Sequence, residues 1–138
     1  MYNWAGRWGY GSHLFKAVKQ FDCKFLVSWH WNAAGGDPYF GLDTREDDYC
    51  WVNATPDGRL MPTPLFERVR EGLADYRCLI TLDRLAREKA DTPAGKAGRE
   101  LITKRMESFK LGFRDGFKDD DAFRVKVMEE IDRINSEK

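Results

Sequence analysis

Residues 63–89 carry the feature that most limits how this chain can fold: one long helix whose start is explicit in the sequence. Thr63 offers a side-chain oxygen as a cap, and Pro64 suits the first helical position, where a backbone N–H is not needed. Apolar residues then recur at Leu65, Phe66, Val69, Leu73, Tyr76, Ile80 and Leu85, a helical period that runs to about Lys89. Gly72 interrupts it at a cost of about 1 kcal/mol relative to Ala. A glycine at that position implies close packing against another element. Arg68, Arg70, Glu71, Asp75 and Arg77 surround it and suit pairing along a solvated face.

The same start recurs downstream. Asp91-Thr92-Pro93 predicts a second helix over about Ala94–Leu111, amphipathic through Ala97, Leu101, Ile102, Met106 and Phe109. Gly112–Asp121 is a break that ends in Asp119-Asp120-Asp121. These carboxylates fit the positive N-terminus of a last helix, and they lack the alternating ligand pattern of a calcium loop. That helix, about Ala122–Ser136, shows Phe123, Val127, Met128, Ile131 and Ile134 at a clean period.

The first half is less regular. Tyr2–Ser12 reads as loop, with Ser12 capping a short helix, His13–Gln20. His13 reads as a surface residue at that helix start. Lys24–Trp31 reads as a strand, Asn32–Asp48 as a long acidic loop punctuated by Gly35, Gly36, Pro38 and Gly41, and Tyr49–Asn53 as a second strand. Pro56-Asp57-Gly58 is a turn, and Arg59–Met61 suits the return strand of a hairpin.

Composition narrows the function classes. The chain has 138 residues, 42% of them hydrophobic, enough for one ordinary domain with a real core. Lys+Arg and Asp+Glu number 23 each, so the formal net charge of +0 gives no field for nucleic acid or an anionic membrane surface. No apolar run approaches the roughly 20 residues that cross a bilayer, and the N-terminus lacks the pattern of a signal peptide. Cys23, Cys50 and Cys78 have neither disulfide-framework nor zinc spacing, so buried free thiols are expected. Tyr2, Trp4, Trp8 and Tyr10 lie among glycines and polar residues and invite a partner surface.

The candidate chemistry lies in Lys24–Asp37. Strand alternation puts Trp29 and Trp31 on one face, with Ser28, His30 and Asn32 on the other. Indole faces beside short polar groups suit a sugar, so Trp29, Trp31, Asn32, Asp37 and Tyr39 form a candidate carbohydrate site. The competing reading places both tryptophans in the core. No phosphate cradle, H-E-x-x-H or serine elbow is present, and no cofactor is implied. Asp37, Asp43, Asp47 and Asp48 are the candidates for a carboxylate pair, and nothing in the sequence shows that any two face each other.

Phe66-Glu67-Arg68-Val69-Arg70-Glu71-Gly72-Leu73-Ala74-Asp75-Tyr76-Arg77-Cys78-Leu79, with the Gly36-Asp37-Pro38 loop upstream, resembles the C-terminal end of glycoside hydrolase-like TIM barrels. The similarity is to the N-acetyl-galactosaminidase-type family and its domain-of-unknown-function relatives, and it spans roughly Arg7–Arg87. It implies that Leu26–Trp31 is a last barrel strand, with Trp29 or Trp31 as part of a sugar platform at the barrel's C-terminal face. It also implies that residues 63–89 form the final barrel helix. The family's Asp-Glu pair belongs to earlier strands and has no counterpart here.

A full barrel needs about 200 residues or more. The resemblance therefore implies an α/β chain that is the C-terminal fragment of a TIM barrel, mostly helical in this chain, with about four helices and two to four short strands. Residues 1–90 would hold the last barrel segments and residues 91–138 a helical pair. The expected function is carbohydrate binding without the catalytic carboxylate pair, in company with the remainder of the barrel or a second copy of the chain. The alternative is a non-catalytic helical interaction or oligomerisation module.

Overall fold

A computed structural model describes residues 7–23, 32–33, 49–50, 52–111 and 120–137. Four helices dominate them: α1 (Leu14–Phe21), α2 (Pro64–Glu88), α3 (Pro93–Glu107) and α4 (Asp120–Ser136). A wide helical turn, Gly9–His13, leads into α1 and is kinked at Gly11. Four strands of two or three residues, β1 (Asn32–Ala33), β2 (Tyr49–Cys50), β3 (Val52–Ala54) and β4 (Leu60–Pro62), pair as two separate antiparallel ladders. Asn32 lies opposite Cys50 in one ladder and Asn53 opposite Met61 in the other.

The barrel expectation is overturned by this arrangement. A TIM barrel is built of parallel strands with helices packed on their outer side. Here the described strands pair antiparallel, and α2 packs against helices. The apolar spacing of Arg70–Leu79 specifies an amphipathic helix, and such a helix buries its stripe equally well against other helices.

The helix starts follow the expected chemistry. Thr63 accepts from the Phe66 N–H at 3.3 Å and Thr92 from the Gly95 N–H at 3.0 Å, each followed by proline in the first turn. Asp120 and Asp121 occupy the first turn of α4, where carboxylates oppose the positive helix end. Gly58, at φ 79°, closes the β3–β4 hairpin in a left-handed conformation that suits glycine.

Side-chain contacts fix the helix directions. Lys89, after the end of α2, donates to the Ile134 carbonyl near the end of α4 at 2.8 Å. Arg124, in the first turns of α4, donates to the Glu71 carbonyl of α2 at 2.9 Å. The two helices therefore run in parallel. Helix α3 runs back between their ends, since the Ala94 N–H donates to Glu137 at 3.2 Å and Arg105 pairs with Asp120.

The core of this bundle is Phe15, Leu79, Leu82, Ala86, Ala94, Ile102, Val127 and Ile134, all buried. Gly98 lets α3 seat closely: a Cβ there would lie 3.1 Å from Leu82 Cδ1 and 3.2 Å from Ile134 Cδ1.

Several local expectations need correction. Asn32 and Ala33, expected in the acidic loop, form β1. The span 49–53, expected as one strand, holds β2 and the start of β3, which pair in separate ladders. The expected strand Lys24–Trp31 lies outside the described residues. Residues 7–12, expected as loop, continue the helical path from Arg7, and Ser12 does not cap α1. Ser12 is buried instead and accepts from Arg105 Nε at 3.0 Å. His13 is half-buried and not a surface residue. Its ring lies 4.7 Å from Trp8 and 6.4 Å from Phe109.

Candidate functional site: the α2–α4 groove

Two polar features and one apolar one stand out on the helical body. The first is a charged clasp around Asp75. Arg7 donates to both its oxygens, at 2.6 and 3.3 Å, and Arg124 donates to the same carboxylate from α4. Arg7 also pairs with Asp121, and Arg105 with Asp120. Asp75 holds Arg7 still more firmly protonated than usual, while burial pushes the Asp120 carboxyl up. Each of the three guanidiniums faces a carboxylate of this chain, so the clasp offers no positive pocket to an anion. It ties the N-terminal turn, α2, α3 and α4 together.

The second polar feature is the end of α3. Lys16 donates to the Met106 and Phe109 carbonyls and lies 4.8 Å over the Phe109 ring. A cation here complements the negative helix end. Trp8 is only 3% exposed and meets Phe109 at 5.2 Å. This N-terminal indole is spent on the chain's own core, so it is not the partner-seeking aromatic that the sequence suggested.

The apolar feature is an open groove between the parallel helices α2 and α4. It encloses about 280 Å³ and is lined by Arg77, Cys78 and Thr81 from α2 and by Met128, Ile131 and Asp132 from α4. The spacing explains the lining. Thr81 follows Cys78 and Arg77 by three and four residues, and Ile131 and Asp132 follow Met128 by three and four, so each set lies on the flank beside the stripe that buries Leu82 or Val127. Cys78 and Ile131 are partly buried against the core and form the floor. Met128 is 51% exposed, and Val125, one turn before it, is 54% exposed.

The walls carry opposite charge. Arg77 stands on α2 and Asp132 on α4, and among the described residues neither takes an ion pair. A drug-sized ligand site commonly encloses about 300–1,000 Å³ and buries most of its ligand. This groove is smaller, open and mostly apolar, which fits a row of side chains from a helix better than a small polar molecule.

The expected sugar-binding residues Trp29, Trp31, Asp37 and Tyr39 lie outside the described residues, as do the carboxylate candidates Asp43, Asp47 and Asp48. Asn32 is described through its backbone alone, opposite Cys50. Cys23 and Cys78 are free thiols, and Cys78 is partly buried, but Cys23, just past the end of α1, is exposed and corrects the expectation of a buried thiol there. Among the described residues no group of three or more His, Cys, Asp or Glu side chains is placed to hold a metal ion, and no helix is long and apolar enough to cross a membrane.

The groove was hidden from the sequence because it depends on α2 lying beside α4. The available signal was the exposed side of each periodic helix: Met128 and Ile131 both belong to the apolar pattern of α4, yet only one of them is covered. Compared with known proteins, the chain matches no family model, no curated protein and no solved structure.

Proposed function

We propose that this chain is a non-catalytic helical interaction module whose docking surface is the α2–α4 face. One observation carries the reading: an open apolar groove continues onto Met128 and Val125, both more than half exposed, on a helix otherwise covered with charge. Apolar side chains grouped in this way on a surface mark a contact site. Two parallel helices form a trough into which a third apolar stripe can lay residues at i, i+3 and i+4.

The test is a titration of the isotope-labelled chain with an amphipathic helical peptide carrying leucines at those positions. Amide resonances of residues 77–81 and 128–132 should shift together and saturate, and Met128→Gln should weaken the response. Shifts that are absent, or spread over α1 and α3 as well, would defeat the proposal.

A second reading, carbohydrate binding at Trp29, Trp31, Asn32, Asp37 and Tyr39, is supported by the pairing of indoles with short polar groups in the sequence. A saturable change in indole emission on adding N-acetyl-galactosamine would support it, and an unchanged spectrum would reject it.

A further inference from the structure

We infer that the occupant of the α2–α4 face is a second copy of this chain, seated about a two-fold axis that pairs Arg77 with the partner's Asp132. The inference rests on the docking reading above and names its partner.

Its basis is the placement of charge. The face has a guanidinium on one wall, a carboxylate on the other, and Cys78, Met128 and Ile131 between them. In an isologous contact the same patch serves both copies, so the patch must complement itself. An axis in the contact plane that exchanges the positions of Arg77 and Asp132 brings each against its opposite. Two ion pairs then flank one continuous apolar centre. A patch of one sign would repel its own image, and this one does not.

Nearby charges keep the two walls opposite in sign. Glu129, one turn before Asp132 on α4, is exposed, takes no ion pair among the described residues and adds a second carboxylate to that wall. Arg84 is paired with Glu88 at 2.8 Å and Arg133 with Glu130 at 3.3 Å, each within its own helix. Arg77 and Asp132 remain without an ion pair among the described residues. The formal net charge of +0 also removes long-range repulsion between copies. A single guanidinium beside a carboxylate is a poor receptor for a strongly anionic partner, which favours a self-complementary one.

Sedimentation equilibrium on the full chain tests this with two charge variants. Arg77→Asp leaves a carboxylate on each wall and Asp132→Arg a guanidinium on each, so each should dimerise about 100-fold more weakly than the wild type. Mixed together they should associate again, because each then supplies what the other lacks. Both positions line an open groove, and circular dichroism checks that the variants fold.

A wild-type dimer, monomeric variants and a mixed dimer support the assignment. A wild-type chain that stays monomeric into the high micromolar range overturns it, as does a dimer indifferent to both variants. If the peptide still shifts residues 77–81 and 128–132 of a monomeric wild type, the second-copy assignment alone fails. If the peptide does nothing either, the docking reading fails with it.

Discussion

Replacing Gly72 by alanine sets two effects of opposite sign against each other. In an isolated helix the change gains about 1 kcal/mol, because glycine is the poorer helix former. In the folded chain the new Cβ would lie 2.3 Å from the Arg7 carbonyl oxygen and 2.9 Å from Tyr10 Cβ. A comfortable carbon–oxygen contact is about 3.3 Å or more, so the N-terminal turn must retreat by about 1 Å. The nearest obstacle is backbone, so no rotamer change relieves it. Retreat stretches the 2.6 Å bond from Arg7 Nε to Asp75 beyond hydrogen-bonding range. Overpacking costs about 1–3 kcal/mol, and a weakened charged hydrogen bond costs about 1.5–3 kcal/mol more. The burial effects win, with a net loss of about 1.5–5 kcal/mol once the propensity gain is subtracted. For a chain of 138 residues that lowers the melting temperature by about 5–18 °C. Thermal unfolding followed by circular dichroism measures it. A variant as stable as the wild type, or more so, would refute the close seating of the N-terminal turn on α2.

Three further perturbations probe the same body. Asp75→Ala removes the carboxylate that Arg7 and Arg124 share, leaving Arg7 to Asp121 and Arg124 to the Glu71 carbonyl, and should cost about 1.5–3 kcal/mol by denaturant unfolding, above a surface ion-pair loss. Cutting Arg7 to methionine in that background should then recover part of the loss, and no recovery would mean the clasp is not one unit. Thr92→Ala removes the cap of α3 and a bond to the Lys89 carbonyl, and should cost about 1 kcal/mol. Burial and then Lys16 lower the pKa of His13 from 6.5, so the folded chain holds it neutral where the unfolded chain takes up a proton. Stability should therefore be constant above about pH 6.5 and fall as pH drops through that value, levelling off once the folded histidine also titrates. Unfolding of His13→Asn should lack this component. An identical pH dependence in both proteins would remove His13 as its source.

The helices were legible because their signals are local. Thr63-Pro64 and Thr92-Pro93 mark the starts of α2 and α3, and the period of Phe123–Ile134 marks α4. Gly72 announced a close approach in a helix that had no other use for it, and the Arg7 backbone fills that space. Contacts distant in sequence were not legible. Arg7 meets Asp75 and Asp121 across 68 and 114 positions, and no period along the chain encodes that meeting. For the same reason Ser12 read as a cap, although the available cap site is overridden by Arg105 from α3. The barrel inference failed because an amphipathic stripe states that a helix is covered on one side without stating by what. The groove shares this origin, since Arg77 and Asp132 become two walls only when α4 lies parallel to α2.

Cys78 sits in the groove floor and Cys23 is exposed away from it, so the chain carries its own probe and its own control. The most direct test of docking at the α2–α4 face is the rate at which each thiol reacts with a small maleimide, read by mass spectrometry of the digested chain. As protein concentration rises, or as the helical peptide is added, the Cys78 rate should fall while the Cys23 rate stays constant. Equal rates for Cys78 in the dilute, concentrated and peptide-bound samples would contradict the account, because nothing would then be covering the groove.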